Sequence, residues 1–439
     1  MGSARETAVL TLAACEKQGA WSDGHLKHAI RAQGLDRRDA ALATRLCYGV
    51  LQNRLLLDWR LGRLCSMKLD KLEIRILCDL RVAAYQLLFL DKIPPSAAVN
   101  EAVELAKRHS RSPRAAGLVN GVLRSLLREE APEVRGKDEM ETLSIRYSHP
   151  RWLVEEFAAL LGLVGAEALL RADNDQPPTT AQVNTWKITP EKLADGLREA
   201  GVEGVPHPWL PGCLLLTGTG DLERLDAFRR GGFYVQDAAS RLAVVAADPQ
   251  PGQRVLDCCA APGGKSFAAA IAMENQGELV SCDIHPHKIK LLEAGRERLG
   301  LSIIRPTLQN AAQAREDWAE GFDLVFTDVP CSGLGIIRKK PDIRYKEPEA
   351  LKGLPRVQRA ILDNCARYVR PGGALVYSTC TLLRRENDEI VDGFLAAHPD
   401  FAAEPFDLPH LGTQLGRVTF WPHIHGTDGF FMAKLRRKG

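Results

Sequence analysis

The sequence predicts an α/β protein in three parts: an all-helical N-terminal domain, a small α/β subdomain, and a C-terminal domain with a doubly wound, mostly parallel sheet. Three observations predict it. Apolar residues of the first third recur at helical spacing, as in Val119, Val122, Leu123 and Leu126. Residues 131–141, APEVRGKDEME, are polar with a Pro and a Gly and read as a linker. From about Gly231 onward short apolar strands alternate with polar-faced helices, the pattern of a parallel sheet closed by crossover helices.

Length and composition agree with this division. A chain of 439 residues is too long for one ordinary domain, and 45% hydrophobic with 26% charged residues is ordinary for a globular protein. The formal net charge of +3 confines any nucleic-acid surface to a local patch. The first residues, MGSARETAVLTLAAC, hold a short apolar run broken by threonines and no cleavage pattern, so no secretory signal is expected. Glu6 stands where a myristoylation signal after Met1-Gly2 needs Ser or Thr. No apolar stretch is long enough to span a bilayer, so the expectation is a cytoplasmic protein with no membrane association. The 11 cysteines contain no C-x-x-C, which argues against a zinc ribbon or a redox motif.

Taken in order, residues 1–130 form the helical domain. Val99, Ala102, Val103 and Ala106 repeat at helical spacing after a start at Pro94-Pro95-Ser96, with Ser96 as candidate cap. Six basic and no acidic residues fall between Lys107 and Arg128, either a solvated helix face or a phosphate-contacting patch. Residues 142–230 form the subdomain, with a helix around Trp152–Leu163 and a break at Pro177-Pro178. Residues 231–439 form the last domain. Its clearest strands are Arg254–Leu256, Leu279–Cys282, Leu324–Thr327 and Ala374–Tyr377, and its clearest helices Lys288–Leu299 and Ala350–Tyr368. Ligands of such sheets sit at the carboxyl ends of the strands, where every motif below falls.

The first motif runs Val255-Leu256-Asp257-Cys258-Cys259-Ala260-Ala261-Pro262-Gly263-Gly264-Lys265-Ser266. A strand leads through small residues into a helix, so backbone N–H groups can approach a ligand closely. It is not a phosphate-binding P-loop, because position 259 is cysteine where that motif needs glycine. Asp283 ends the next strand, at the distance where a nucleoside-binding fold grips ribose hydroxyls; a helix cap is the plainer alternative. The third motif is Asp328-Val329-Pro330-Cys331-Ser332-Gly333 and the fourth Tyr377-Ser378-Thr379-Cys380-Thr381, each directly after a strand. Two cysteines at equivalent ends of one sheet, beside an aspartate, point to function rather than to buried thiols.

At these four motifs, and at Glu386-Asn387 and the terminal segment Pro422–Phe431, the sequence resembles the RNA 5-methylcytosine methyltransferases, in particular the methyltransferase B group acting on small-subunit ribosomal RNA. Ile93-Pro94, Asn100–Lys107 and Val119–Leu123 resemble the antitermination factor NusB. The resemblance implies a NusB-like RNA-binding domain fused to a Rossmann-like class I methyltransferase domain. It further implies S-adenosylmethionine as methyl donor, no metal, ribosomal RNA as partner, and a monomer without an obligate protein partner. Carried over residue by residue, Cys380 is the nucleophile, Cys331 assists product release, and Asp328 lies against both cofactor and base. Cys259, Ala260, Ala261, Pro262, Gly263, Gly264 and Lys265 cradle the methionine part, and Asp283 the ribose. Asn310 stands where the family usually has Asp near the adenine; an amide can still hydrogen-bond.

Chemistry explains why such a site wants two thiols and a carboxyl. Carbon 5 of cytosine becomes a nucleophile only after a thiolate adds at carbon 6, and a carboxyl at N3 can share a proton as negative charge builds. The carbon-5 proton must then leave before the thiol is eliminated. Three rivals stand beside this reading: transfer RNA as substrate, a non-catalytic RNA scaffold, and exchanged roles for the two cysteines. His423, His425 and Asp428 offer a metal-site alternative to a structural hairpin, with both histidines on one face of a strand. The basic stretch Arg338–Lys346 is a solvated loop or the lining of an RNA entrance on composition alone, and its position after the Cys331 loop favours the RNA entrance.

Overall fold

The computed structural model describes residues 3–18 and 22–439. Met1 and Gly2, on which the myristoylation reading falls, lie outside the described residues. The chain up to Asp175 together with Ile337–Lys346 forms one compact unit; Gln176–Ile336 together with Glu347–Gly439 forms a second.

The first unit is helical, with long elements at Ala4–Gln18, Arg37–Leu64, Ile74–Phe89, Pro95–His109, Ala115–Arg128 and Arg151–Ala172. Its core closes on Ala8, Leu46, Leu57, Leu80, Val119 and Leu123, none with measurable exposure. The stripes read at helical spacing face that core: Val99, Ala102 and Ala106 on one helix, Val122 and Leu126 on the next. Ser96 does not cap. The helix begins at Pro95, after Pro94 and without a side-chain bond; a proline at the first position has no N–H to leave unsatisfied. The helix expected to end near Leu163 continues to Ala172 across an interruption at Gly162, φ 70°, ψ 172°, a conformation open to glycine.

Within the stretch expected to line an RNA entrance, Pro341, Ile343 and Arg344 are buried in this unit, Lys340 is exposed and the other residues are partly buried. Arg344 has no exposed surface. Its guanidinium donates to the carbonyls of Gln52, Tyr147, Ser148 and Asp173 and to Asn174 Oδ1, at 2.9–3.4 Å. The Tyr345 hydroxyl donates to Leu51 O at 2.8 Å, and Arg54 stacks 3.5 Å over its ring. The two terminal nitrogens of this fork meet converging carbonyls, while Nε is buried without a partner.

The second unit holds two main sheets. In the smaller, β1 (Thr179–Val183), β2 (Glu203–Pro206), β3 (Cys213–Thr217) and β4 (Phe233–Val235) are antiparallel in the order β2-β3-β1-β4. Leu193 and Leu197 of the helix Pro190–Glu199 share a buried cluster with Ala181, Leu214 and Phe233 of that sheet. The larger sheet contains β5 (Arg254–Asp257), β6 (Glu278–Asp283), β7 (Ile304–Leu308), β8 (Phe322–Asp328) and β9 (Val369–Thr379), parallel in the order β9-β8-β5-β6-β7. Later in the chain come β10 (Phe401–Ala403), the hairpin β11 (Phe406–Leu408) and β12 (Gly412–Gln414), β13 (Arg417–Phe420) and β14 (Phe430–Arg437). Strand β14 runs antiparallel beside β9, and β10 and β13 share its outer edge. The central strands β5, β6 and β8 and the second half of β9 are buried along most of their length because both faces are covered, whereas β7 at the sheet edge is mostly not buried. The order reverses between β5 and β8, so their carboxyl ends open a crevice at the switch point.

Three local expectations change. The helix expected over 350–368 is two, Pro348–Leu351 and Leu354–Ala366, parted at Lys352-Gly353. Strand β9 begins at Val369 rather than Ala374. Pro422–His425 is a helical turn, so His423 and His425 do not share a strand face, and among the described residues no group of three or more candidate ligands assembles.

Candidate active site

Strand β5 ends at Asp257, wholly buried, and the chain turns through Cys258–Gly263 into the helix Gly264–Ala272. The turn is pinned to its neighbours: Cys258 N donates to Phe326 O, Ala260 N to Cys282 O at 2.7 Å, and Gly263 N to Ala260 O. Gly263 adopts φ 118°, and a Cβ there would meet the Phe267 ring at 2.3 Å, so the turn requires glycine.

This turn walls a cavity of about 480 Å³ whose lining includes Cys259–Pro262, Gly264 and Lys265, with Asp257, Asp328, Gln236 and Ser240. The Asp257 carboxyl accepts from Ser266 Oγ at 2.7 Å through Oδ2, while Oδ1 is buried without a partner. Burial raises its pKa to about 6. Gln236 Oε1 is a second buried, unpartnered acceptor in the same wall. Two idle acceptor oxygens beside backbone N–H groups fit a ligand bearing both an ammonium and a carboxylate.

Lys265, 5% exposed, sends its ammonium 2.7 Å from Asp328 Oδ2 and 3.0 Å from Ser240 Oγ, above the Phe430 ring. Asp328 Oδ1 accepts from Ser378 Oγ at 2.8 Å, which ties the ends of β8 and β9 together. Just beyond these strand ends, the sulfurs of Cys331 and Cys380 face each other at 3.3 Å. Both cysteines are half-buried. The Cys331 thiol is held well above the ordinary range, first by its hydrogen bond with Cys380 and then by burial.

Asp283, at the end of β6, accepts from His285 N at 3.0 Å and faces Lys288 Nζ at 3.4 Å. Asn310 follows β7, and Gln309 N donates to Asp283 O; Asn310 Oδ1 accepts from Ala312 N. These two therefore sit on neighbouring strand ends and are not among the residues lining the cavity. Cys259–Lys265, Asp328, Cys331 and Cys380 cluster at the β5, β8 and β9 ends, with Asp283 and Asn310 beside them at the β6 and β7 ends. Sequence reasoning gives no role to Asp257, Gln236 or Ser240. Asp257 lies within the first motif, but nothing in one sequence marks Gln236 and Ser240, which reach the cavity only because β4 leads into the helix Ala238–Ala247.

Three family models match the chain: 16S rRNA methyltransferase RsmB/F over residues 244–436, the NusB family over 2–128, and an RsmF/B-like ferredoxin-like domain over 149–223. The chain is 39% identical to the "Probable ribosomal RNA small subunit methyltransferase B" of Bacillus subtilis (strain 168), over 100% of this chain and 99% of that one. It is 32% identical to ribosomal RNA small subunit methyltransferase B of Klebsiella pneumoniae subsp. pneumoniae, covering 92% of each. Among solved structures, the crystal structure of PH0851 superposes with a TM-score of 0.82 at 28% identity, covering 100% of this chain and 99% of that one.

Proposed function

The chain belongs to the RsmB/F family of 16S rRNA methyltransferases, and from that premise we propose that it methylates carbon 5 of a cytosine in small-subunit ribosomal RNA through a covalent adduct on Cys380, with S-adenosylmethionine as donor. The observation that carries the reading is the pair of sulfurs 3.3 Å apart beside Asp328, itself ion-paired with Lys265. The idle acceptors Asp257 Oδ1 and Gln236 Oε1 fit the ammonium of the donor's methionine part, and Asp283 and Asn310 are assigned to ribose and adenine. When bound, S-adenosylmethionine supplies an electrophilic methyl group on a sulfonium.

The chain's own residues do the rest. The Cys380 thiolate adds to carbon 6, and the carbon 5–carbon 6 electron pair moves into the ring toward N3. As negative charge builds at N3, Asp328 relays to it a proton drawn from the Lys265 ammonium 2.7 Å away, and takes that proton back when the adduct is eliminated. After methyl transfer, Cys331 accepts the carbon-5 proton; that C–H pair restores the double bond and expels Cys380 as thiolate. Residues 1–130 are assigned to RNA binding, with Arg111, Arg114, Arg124 and Arg128 exposed toward phosphates; residues 142–230 to the subdomain and 231–439 to catalysis. No described helix is long and apolar enough to cross a membrane, and the proposed setting is a cytoplasmic monomer working without a metal.

The test is methyl transfer from labelled S-adenosylmethionine to protein-free small-subunit ribosomal RNA. Wild type labels a cytosine at carbon 5, Cys380→Ala is inactive, and Cys331→Ala accumulates a denaturation-resistant RNA adduct. An adduct in Cys380→Ala instead would exchange the cysteines' roles. Labelling of transfer RNA alone would overturn the substrate, and no labelling of any RNA the chemistry.

A further inference from the structure

The loops that carry the two cysteines are zipped to each other. Val329 N donates to Ser378 O at 3.1 Å, Gly335 N donates to Cys380 O at 2.9 Å, and the hydroxyls of Ser332 and Thr381 meet at 2.7 Å. Two consecutive residues, Glu386 and Asn387, each 1% exposed, then hold one loop apiece. Glu386 Oε2 accepts from Ser332 N at 2.9 Å and from Gln358 Nε2 at 2.8 Å, and Gln358 Nε2 also donates to Pro330 O, so both neighbours of Cys331 are held. Asn387 brackets Cys380 in the same way: Thr379 Oγ1 donates to Asn387 Oδ1 at 2.6 Å, and Asn387 Nδ2 donates to Thr381 O at 2.9 Å.

Asn387 also stands at the N-cap of the helix Asp388–Ala397, where an asparagine side chain ordinarily accepts from an N–H of the first turn. Here it makes no such bond. Both ends of its amide go instead to the residues on either side of Cys380, a use that the helix does not require. We propose that Asn387 is a positioning residue for Cys380: with Glu386 holding the Cys331 loop from the adjacent position in the chain, it fixes the 3.3 Å separation of the two sulfurs. This rests on the functional reading above, in which Cys380 bonds to carbon 6 and Cys331 takes the proton from carbon 5. Those two atoms are bonded neighbours in one ring, so the sulfurs serve the same base only while they stay side by side. A misplacement of about 1 Å costs about a hundredfold in rate. The restraint is carried by hydrogen-bond geometry alone, and it reaches the reaction only through Cys380.

The test uses phenylarsine oxide, whose arsenic bridges two neighbouring thiols: two As–S bonds form, and the oxygen leaves as water with the two thiol protons. Free wild-type protein takes up the reagent as a bridge between Cys331 and Cys380, located by mass spectrometry. Thr379→Val, close to isosteric, removes the hydroxyl that Asn387 holds; Thr379→Ser keeps it; Asn387→Ala removes both bonds. Thr379→Val and Asn387→Ala bind the reagent about tenfold more weakly, because the second thiol is no longer pre-placed, while Thr379→Ser binds it as wild type does. In methyl transfer the first two variants lose about tenfold in kcat with KM for RNA and for S-adenosylmethionine unchanged. No bridge in wild type overturns the proposal whether or not the variants fold. So does wild-type affinity for the reagent in Thr379→Val, or a loss in Thr379→Ser that Thr379→Val does not share, the mark of packing rather than of a hydrogen bond. A rise in KM with kcat unchanged overturns it as well. The bridging measurement needs neither RNA nor turnover. If ribosomal RNA methylation proceeds without Cys380, the functional reading fails while the measured thiol spacing stands.

Discussion

Asp257→Asn separates ligand binding from stability at one buried carboxyl. The raised pKa, about 6 against 3.8 for the free group, leaves Asp257 protonated below pH 6 and charged above it. A ligand presenting an ammonium to Oδ1 binds the charged form better, so affinity for S-adenosylhomocysteine rises with pH through 6. If only the carboxylate form binds, Kd falls about tenfold between pH 5 and pH 7 and is flat beyond. Isothermal titration calorimetry in buffers of different ionisation enthalpy reads this directly, with about one proton released on binding at pH 5 and almost none at pH 8. The Asn variant binds at every pH more weakly than wild type does at pH 5. Stability moves the opposite way. A carboxyl whose pKa is raised on folding gives its full contribution below about pH 4 and loses it as pH rises through about 6. The Asn variant, which still accepts from Ser266, is therefore more stable than wild type at pH 8 by ~3 kcal/mol and equal to it at pH 4. A wild-type Kd that does not vary between pH 5 and 8, or an Asn variant that keeps the slope, refutes the assignment of Asp257 to the ammonium.

Two further outcomes follow from packing. At Gly335 a Cβ would lie 1.9 Å from Gly429 O and 2.9 Å from Cys380 O, so Gly335→Ala displaces the Cys380 loop; methyl transfer falls by about a hundredfold, while S-adenosylhomocysteine affinity, measured by calorimetry, is unchanged. Arg344→Met strips the shared donor from five acceptors, lowering stability in urea denaturation by about 3–5 kcal/mol; Arg344→Lys recovers less than half, because one ammonium cannot serve a fork of carbonyls.

Much of the fold was legible because its signals are local. The helical stripe Val119-Val122-Leu123-Leu126 needs only the periodicity of its own segment, and β5, β6 and β8 are apolar runs bounded by turn residues. Gly263 could be assigned to a tight strand–helix turn for the same reason. Boundaries slipped where neighbours decide them, as at β9, whose first residues extend through Pro371-Gly372 beside β8. The motifs were found because their residue types carry chemistry wherever they sit at strand ends.

The sequence by itself therefore determined the element types, the order of a helical region before a mixed-sheet domain, and the loops on which reactive groups fall, since each depends on residues a few positions apart. Only the tertiary structure decided what those groups meet. Cys331 finds Cys380 across 49 positions, Lys265 finds Asp328 rather than solvent, and Gln358 reaches Glu386 across 28. Composition made Arg344 a surface base, whereas its burial depends on carbonyls brought from residues 170 to 292 positions away. Charge state, burial and partner choice are properties of the low-dielectric site formed by distant segments, and no local pattern encodes which segments arrive there.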